Sequence, residues 1–123
     1  MNEPEDAARR GSAAEPEDLA RLLVERVNAG DLDGVVALYE PEGVLALPGE
    51  GVAAGHDAIR RFYADLLAGE PRFEPGDQLP ALRLGDLALT STRLVGGGAT
   101  AEIARRQADG SWRWAVDRPN VGE

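Results

Sequence analysis

The chain contains no cysteine and no lysine, a single histidine, and two each of tryptophan, tyrosine and phenylalanine. Without cysteine there are no disulfides, zinc-thiolate sites or thiol nucleophiles. All thirteen basic residues are arginine, which removes Schiff-base chemistry and a phosphate-loop lysine. The lone His56 leaves little for a metal site, and a Ser-His-Asp triad only if His56 is its base. Apolar runs fall far short of the ~20 residues that span a bilayer. The first residues, Met-Asn-Glu-Pro-Glu-Asp, lack the basic and apolar regions of a signal peptide. Positive charge is also scarce: 13 basic against 22 acidic residues give −9, and such a surface repels phosphate backbones and anionic lipid. A soluble, cytoplasmic protein with no nucleic-acid or membrane partner is expected. What is present, 123 residues of which 43% are apolar, fits one domain with one modest core and room for one enclosed pocket.

Residues 1–15, mostly Glu, Pro, Ala and Arg, have little to bury and read as a disordered acidic arm before a domain over 16–123. Pro16, Glu17 and Asp18 start a helix. Leu19, Leu22, Leu23 and Val27 recur at helical spacing until Gly30. Asp31 caps a second helix with apolar face Val35, Val36, Leu38 and Tyr39, stopped by Pro41. Runs at 44–47 and 52–54, separated by Pro48-Gly49-Glu50-Gly51, form a hairpin. Ile59, Phe62, Tyr63, Leu66 and Leu67 mark a third helix ending at Gly69. After a proline-bearing stretch over 70–77, strand-like runs occupy 79–95, 100–107 and 112–117. Gly85-Asp86 interrupts the first of these, and Asp109-Gly110 joins the last two as a tight hairpin. Gly96-Gly97-Gly98 matches no phosphate-loop spacing and reads as a hairpin connection. Helices segregated from strands indicate an α+β fold: a curved antiparallel sheet with three helices on its concave face, able to enclose a small-molecule pocket.

Three stretches, Val27 to Tyr39 (V-N-A-G-D-L-D-G-V-V-A-L-Y), Gly55 to Tyr63 (G-H-D-A-I-R-R-F-Y) and Asp109 to Trp114 (D-G-S-W-R-W), resemble the nuclear transport factor 2-like superfamily in its SnoaL-like and ketosteroid-isomerase-like branches. The resemblance covers roughly residues 17–118. It implies a cone-shaped half-barrel with a pocket at the wide end, and commonly a homodimer across the sheet. It does not choose among isomerases, cyclases, dehydratases, epoxide hydrolases and noncatalytic modules. No cofactor or metal is implied. In the ketosteroid isomerases a tyrosine, an aspartate base and a protonated acid line the pocket. By resemblance these positions fall on Leu23, Leu47 and about Ala104, all apolar, so that reaction is argued against. Tyr39 and Tyr63 match the supporting tyrosines; their bland reading is core packing with the hydroxyls satisfied inside.

The resemblance suggests that Ala115 and Asp117 face the pocket. Strand parity then turns Trp112 and Trp114 to the convex surface as a dimer interface, the alternative being that the indoles fill the core. The same parity turns Ser91 and Arg93 inward, with Glu102 and Arg106 on the strand between. Asp117 and Arg93 form the candidate catalytic pair, a base or water-holder beside an anion-binding guanidinium. A cross-strand salt bridge at the sheet rim is the alternative. Leu23, Tyr39, Leu47, Tyr63, Ser91, Glu102, Ala104 and Ala115 are the candidate ligand contacts. His56 is expected to face solvent, and its neighbour Asp57 cannot face it on a helix. The expected function is to bind, and on the enzyme reading to transform, a small apolar carbonyl compound of polyketide-like or steroid-like type. A noncatalytic ligand-binding or dimerisation module is the alternative. Abundant Arg and Ala without Lys suggests a GC-rich bacterial genome, where proteins of this resemblance often accompany secondary metabolism.

Overall fold

The computed structural model describes residues 12–122. Helix α1 (Asp18–Asn28) buries Leu19, Leu22 and Val27 and ends ahead of Gly30, whose φ of +69° suits a residue without Cβ. Asp31 accepts from the Gly34 N–H at 2.9 Å and caps the short helix α2 (Leu32–Val36). Tyr39, expected on that helix, instead opens strand β1 (Tyr39–Ala46). Pro41 lies inside β1 rather than stopping a helix, in an exposed stretch where pairing with the neighbouring strand is irregular. Its missing N–H there removes no ladder bond. Strand β2 (Val52–Ala54) closes the hairpin, and helix α3 (His56–Ala68) packs Ile59 and Tyr63 into the core.

The remaining strands are β3 (Asp77–Gln78), β4 (Leu82–Leu84), β5 (Leu87–Thr90), β6 (Thr92–Arg93), β7 (Ala101–Arg106) and β8 (Trp112–Arg118). The main sheet runs β2-β1-β8-β7-β5-β4, while β3 and β6 pair separately. The sheet is antiparallel except at β1–β8, which is parallel, so the expected all-antiparallel sheet is corrected to a mixed one. The architecture is otherwise the expected α+β cone: a curved, unclosed sheet with three helices packed on it.

Two departures matter for the site. Opposite β7, Ile103 pairs with Val116 but Ala104 pairs with Trp114, so Ala115 is an extra residue, a β-bulge. The bulge resets the alternation, and Trp112, Trp114 and Asp117 are all buried, at 5%, 1% and 4% exposure. Trp112 and Trp114 are therefore core residues and not a convex-surface pair. The chain is also ordered earlier than Pro16: Ala13 is buried, and its carbonyl accepts from the Trp112 N–H at 2.9 Å. The rest of the expected arm, residues 1–11, lies outside the described residues.

The outer face carries what the indoles do not. Leu82, Leu89, Ile103 and Val116 form one cross-strand row over β4, β5, β7 and β8, at 69%, 46%, 42% and 45% exposure. Among the described residues no helix is long and apolar enough to cross a membrane.

Candidate functional site

Asp117 projects from β8 into the interior, directly opposite Glu102 on β7 and Leu45 on β1. The Tyr39 hydroxyl donates to Asp117 Oδ2 at 2.5 Å and lies 2.8 Å from the Tyr63 hydroxyl. A phenol has one proton, and that of Tyr39 is committed to Asp117. Tyr63 therefore donates to Tyr39, giving a relay Tyr63 to Tyr39 to Asp117. Glu102, also 4% exposed, accepts from Thr90 Oγ1 at 2.6 Å and from the Thr100 hydroxyl.

Two carboxyls so placed cannot both ionise freely. Burial first, then the Glu102 charge, push the Asp117 carboxyl up to about 7, against the opposing Tyr39 hydrogen bond. Burial likewise raises Glu102, offset in part by its threonine donors. Tyr39 and Tyr63 are both driven above the usual phenol range, mainly by burial, and stay neutral donors. Asp117 is thus a group able to take and return a proton near neutral pH.

The carboxyls form part of the wall of a cavity of about 640 Å³. Leu23 of α1, Leu47 after β1, and Phe62, Tyr63 and Leu66 of α3 supply its apolar side, closed by Phe73. Trp114, Glu102 and Asp117 line it from the sheet, and residues 118–120 form part of its rim. The Trp114 ring packs 5.4 Å from Tyr39, and its indole N–H is a buried donor with no acceptor. Volume and lining suit a small, mostly apolar ligand oriented by a few polar groups.

Of the residues expected at the site, Leu23, Leu47, Tyr63, Glu102 and Asp117 line this cavity. Tyr39 is fully buried behind the wall and touches Asp117 from there. Ala104 is also fully buried but is not a lining residue; the acid on that strand is Glu102, two positions earlier on the same face. Ala115 sits in the bulge, away from the cavity. Ser91 and Arg93 do not turn inward: Thr90 pairs with the inward Glu102, so the buried positions are Thr90 and Thr92, at 3% and 7% exposure. Arg93 is exposed and pairs through its backbone with Asp77, while Ser91 donates to the Thr100 carbonyl. The expected Asp117–Arg93 pair is not assembled, and Arg106 is an exposed partner of Asp86. His56 is half-buried instead of solvent-facing, its Nε2 2.7 Å from the Tyr39 carbonyl, to which it donates.

Sequence reasoning missed Thr90 and Thr100 and the aromatic wall of Phe62 and Phe73. The alternation of Thr90 and Thr92 is the signal that would have set the register against Glu102. A second cavity, about 600 Å³ between α1, α2 and the β7–β8 turn, is bordered by Asp31, Asp33, Asp109 and Arg113. Asp31 and Asp109 are occupied as a helix cap and a turn cap. Among the described residues no three His, Asp or Glu groups cluster as metal ligands.

A family model described as a SnoaL-like domain matches residues 20–118. Solved structures agree on the fold. A putative calcium/calmodulin-dependent protein kinase type II association domain from Thiobacillus denitrificans superposes with a TM-score of 0.72 at 18% identity, covering 88% of this chain and 97% of that one. A putative dehydratase from the NTF2-like family of Streptomyces avermitilis gives 0.65 at 20% identity, over 85% and 93% of the two chains. A ketosteroid isomerase-like protein from Erwinia carotovora gives 0.59 at 23% identity, over 85% and 95%.

Proposed function

The chain belongs to the SnoaL-like family, and from that premise we propose that its cavity binds a small, largely apolar carbonyl compound of polyketide-like or steroid-like type and that Asp117 moves a proton on it. The observation that carries this reading is a buried carboxyl, Asp117, held near neutrality beside a second buried acid on the wall of a ligand-sized cavity. As a carboxylate, Asp117 accepts the proton beside the substrate carbonyl. Tyr39 and Tyr63 stabilise the carboxylate through the relay.

The test uses 2-tetralone, whose benzylic C–H beside the carbonyl is acidic and whose two fused rings suit the cavity. In deuterium oxide the wild-type protein is expected to speed exchange of that hydrogen, followed by proton NMR. Asp117→Asn is expected to lower the protein-dependent rate by about 100-fold or more. Wild-type exchange no faster than buffer would defeat the reading. Saturable binding of the ketone without exchange would favour the noncatalytic binding module instead.

We also propose that a second copy of the chain covers the outer apolar row. The four strands, 3, 4, 6 and 7 residues long and about 4.8 Å apart, offer a face of roughly 300 Å² in projection, the apolar centre of an interface whose rim the neighbouring outer-face side chains must supply to reach the ~800 Å² per partner of a stable dimer. Leu89→Lys at the centre of the row is expected to give a monomer by light scattering where the wild type is a dimer. A monomeric wild type at 100 μM would refute this.

A further inference from the structure

Among the described residues, every hydrogen bond to the two buried carboxyls comes from a hydroxyl: Tyr39 to Asp117, and Thr90 and Thr100 to Glu102. Among the described residues no cation answers them. The chain has 13 basic residues, all arginine, yet among the described residues the cavity wall holds one, Arg118, at the rim. Arg118 is exposed and shares a register row with Ala101 of β7, on the strand face opposite to Glu102 and Asp117. Such a pair of acids on an enclosed wall is unusual, because buried charge is ordinarily matched by an opposite charge. It repels a ligand carboxylate or phosphate and favours a cation. The same wall carries the rings of Phe62, Tyr63, Phe73 and Trp114, whose faces attract a desolvated cation.

Resting on the carbonyl reading above, we propose that the ligand is an amine-bearing carbonyl compound, its protonated amine seated against Glu102 and Asp117. Among the described residues, the groups facing Glu102 are Asp117 from β8, Thr90 from β5, Thr100 just ahead of its own strand, and the neutral phenol of Tyr63 from α3. None of these is cationic, and the one arginine of the wall among the described residues, Arg118, lies at the rim on the opposite strand face. An amine beside the carbonyl also makes the neighbouring C–H easier for Asp117 to deprotonate.

Three probes of one shape separate the possibilities: 2-aminotetralin as the cation, 2-tetralone as the neutral ketone and tetralin-2-carboxylate as the anion. Dissociation constants are measured by calorimetry on the full chain. At pH 8 the amine is expected to bind at least tenfold more tightly than the ketone, a difference of about 1.4 kcal/mol, and the carboxylate most weakly. The amine stays protonated from pH 8 to pH 5, so acidification through the Asp117 value of about 7, which neutralises that carboxyl, is expected to shrink the amine-to-ketone ratio. Glu102→Gln and Asp117→Asn are each expected to shrink that ratio at pH 8, and the wild-type pH series gives the same information if a variant does not fold. A ketone that binds as tightly as the amine at pH 8 overturns the amine proposal and leaves the carbonyl reading standing. No binding by any of the three overturns both.

Discussion

Trp114→Ala is expected to destabilise the fold by about 3–5 kcal/mol. The side chain is 1% exposed, packs its ring at a tilt 5.4 Å from that of Tyr39 and pairs across the sheet with Ala104 and Tyr39. Deleting it leaves a large void between helix and sheet that neighbouring side chains cannot fill without moving the Tyr39–Asp117 relay. Against the 5–15 kcal/mol typical of a small domain, that loss leaves the variant close to its unfolding transition, visible as a lowered urea midpoint. A stability loss under about 1 kcal/mol, with only self-association affected, would return Trp114 to an outer interface and contradict the bulge at Ala115.

Asp117→Asn is expected to do the opposite to stability while removing proton transfer. The Asp117 carboxyl is raised from 3.8 to about 7 in the folded chain. Below pH 4 the folded and unfolded chains both carry the proton. As pH rises towards 7 the unfolded chain ionises first, so the stability present in acid is progressively lost. Above 7 the loss is complete and constant. Glu102, raised in the same direction, adds to this slope. Asparagine keeps an acceptor for the Tyr39 hydroxyl and carries no charge, so the variant is expected to exceed the wild type by about 2 kcal/mol at pH 8. It is expected to show a flatter stability profile between pH 4 and pH 7. Urea titrations at several pH values check both, and equal wild-type and variant slopes would refute them. Stability gained by deleting a functional group marks a site held at the expense of the fold.

Most of the architecture could be read from the chain because its signals are local. Helix starts at Pro16 and Asp31, glycines after the first and third helices, and short apolar runs between turn residues all act over a few positions. The site depended on which way strands face, and that is where reading failed. Asp117 and Glu102 were placed inside correctly, but one extra residue at Ala115 reverses the alternation between Trp114 and Asp117. No residue type announces a bulge, since Ala115 needs no special backbone angle. The inward choice of Ser91 and Arg93 failed for a related reason: register is set by pairing with Glu102 across the sheet, which a one-strand pattern does not contain. Tyr39 was assigned to a helix because its spacing from Val35 and Val36 fits one, whereas long-range pairing with Trp114 pulls it into β1.

The most direct test is to titrate the Asp117 carboxyl itself, following its side-chain carbon by NMR in isotopically labelled protein, with Asp117→Asn to assign the signal. A midpoint near 7 is predicted, moving down in Glu102→Gln as the facing charge is removed. A midpoint at the ordinary aspartate value of about 4, unmoved by that substitution, would contradict a buried, proton-carrying acid in the cavity.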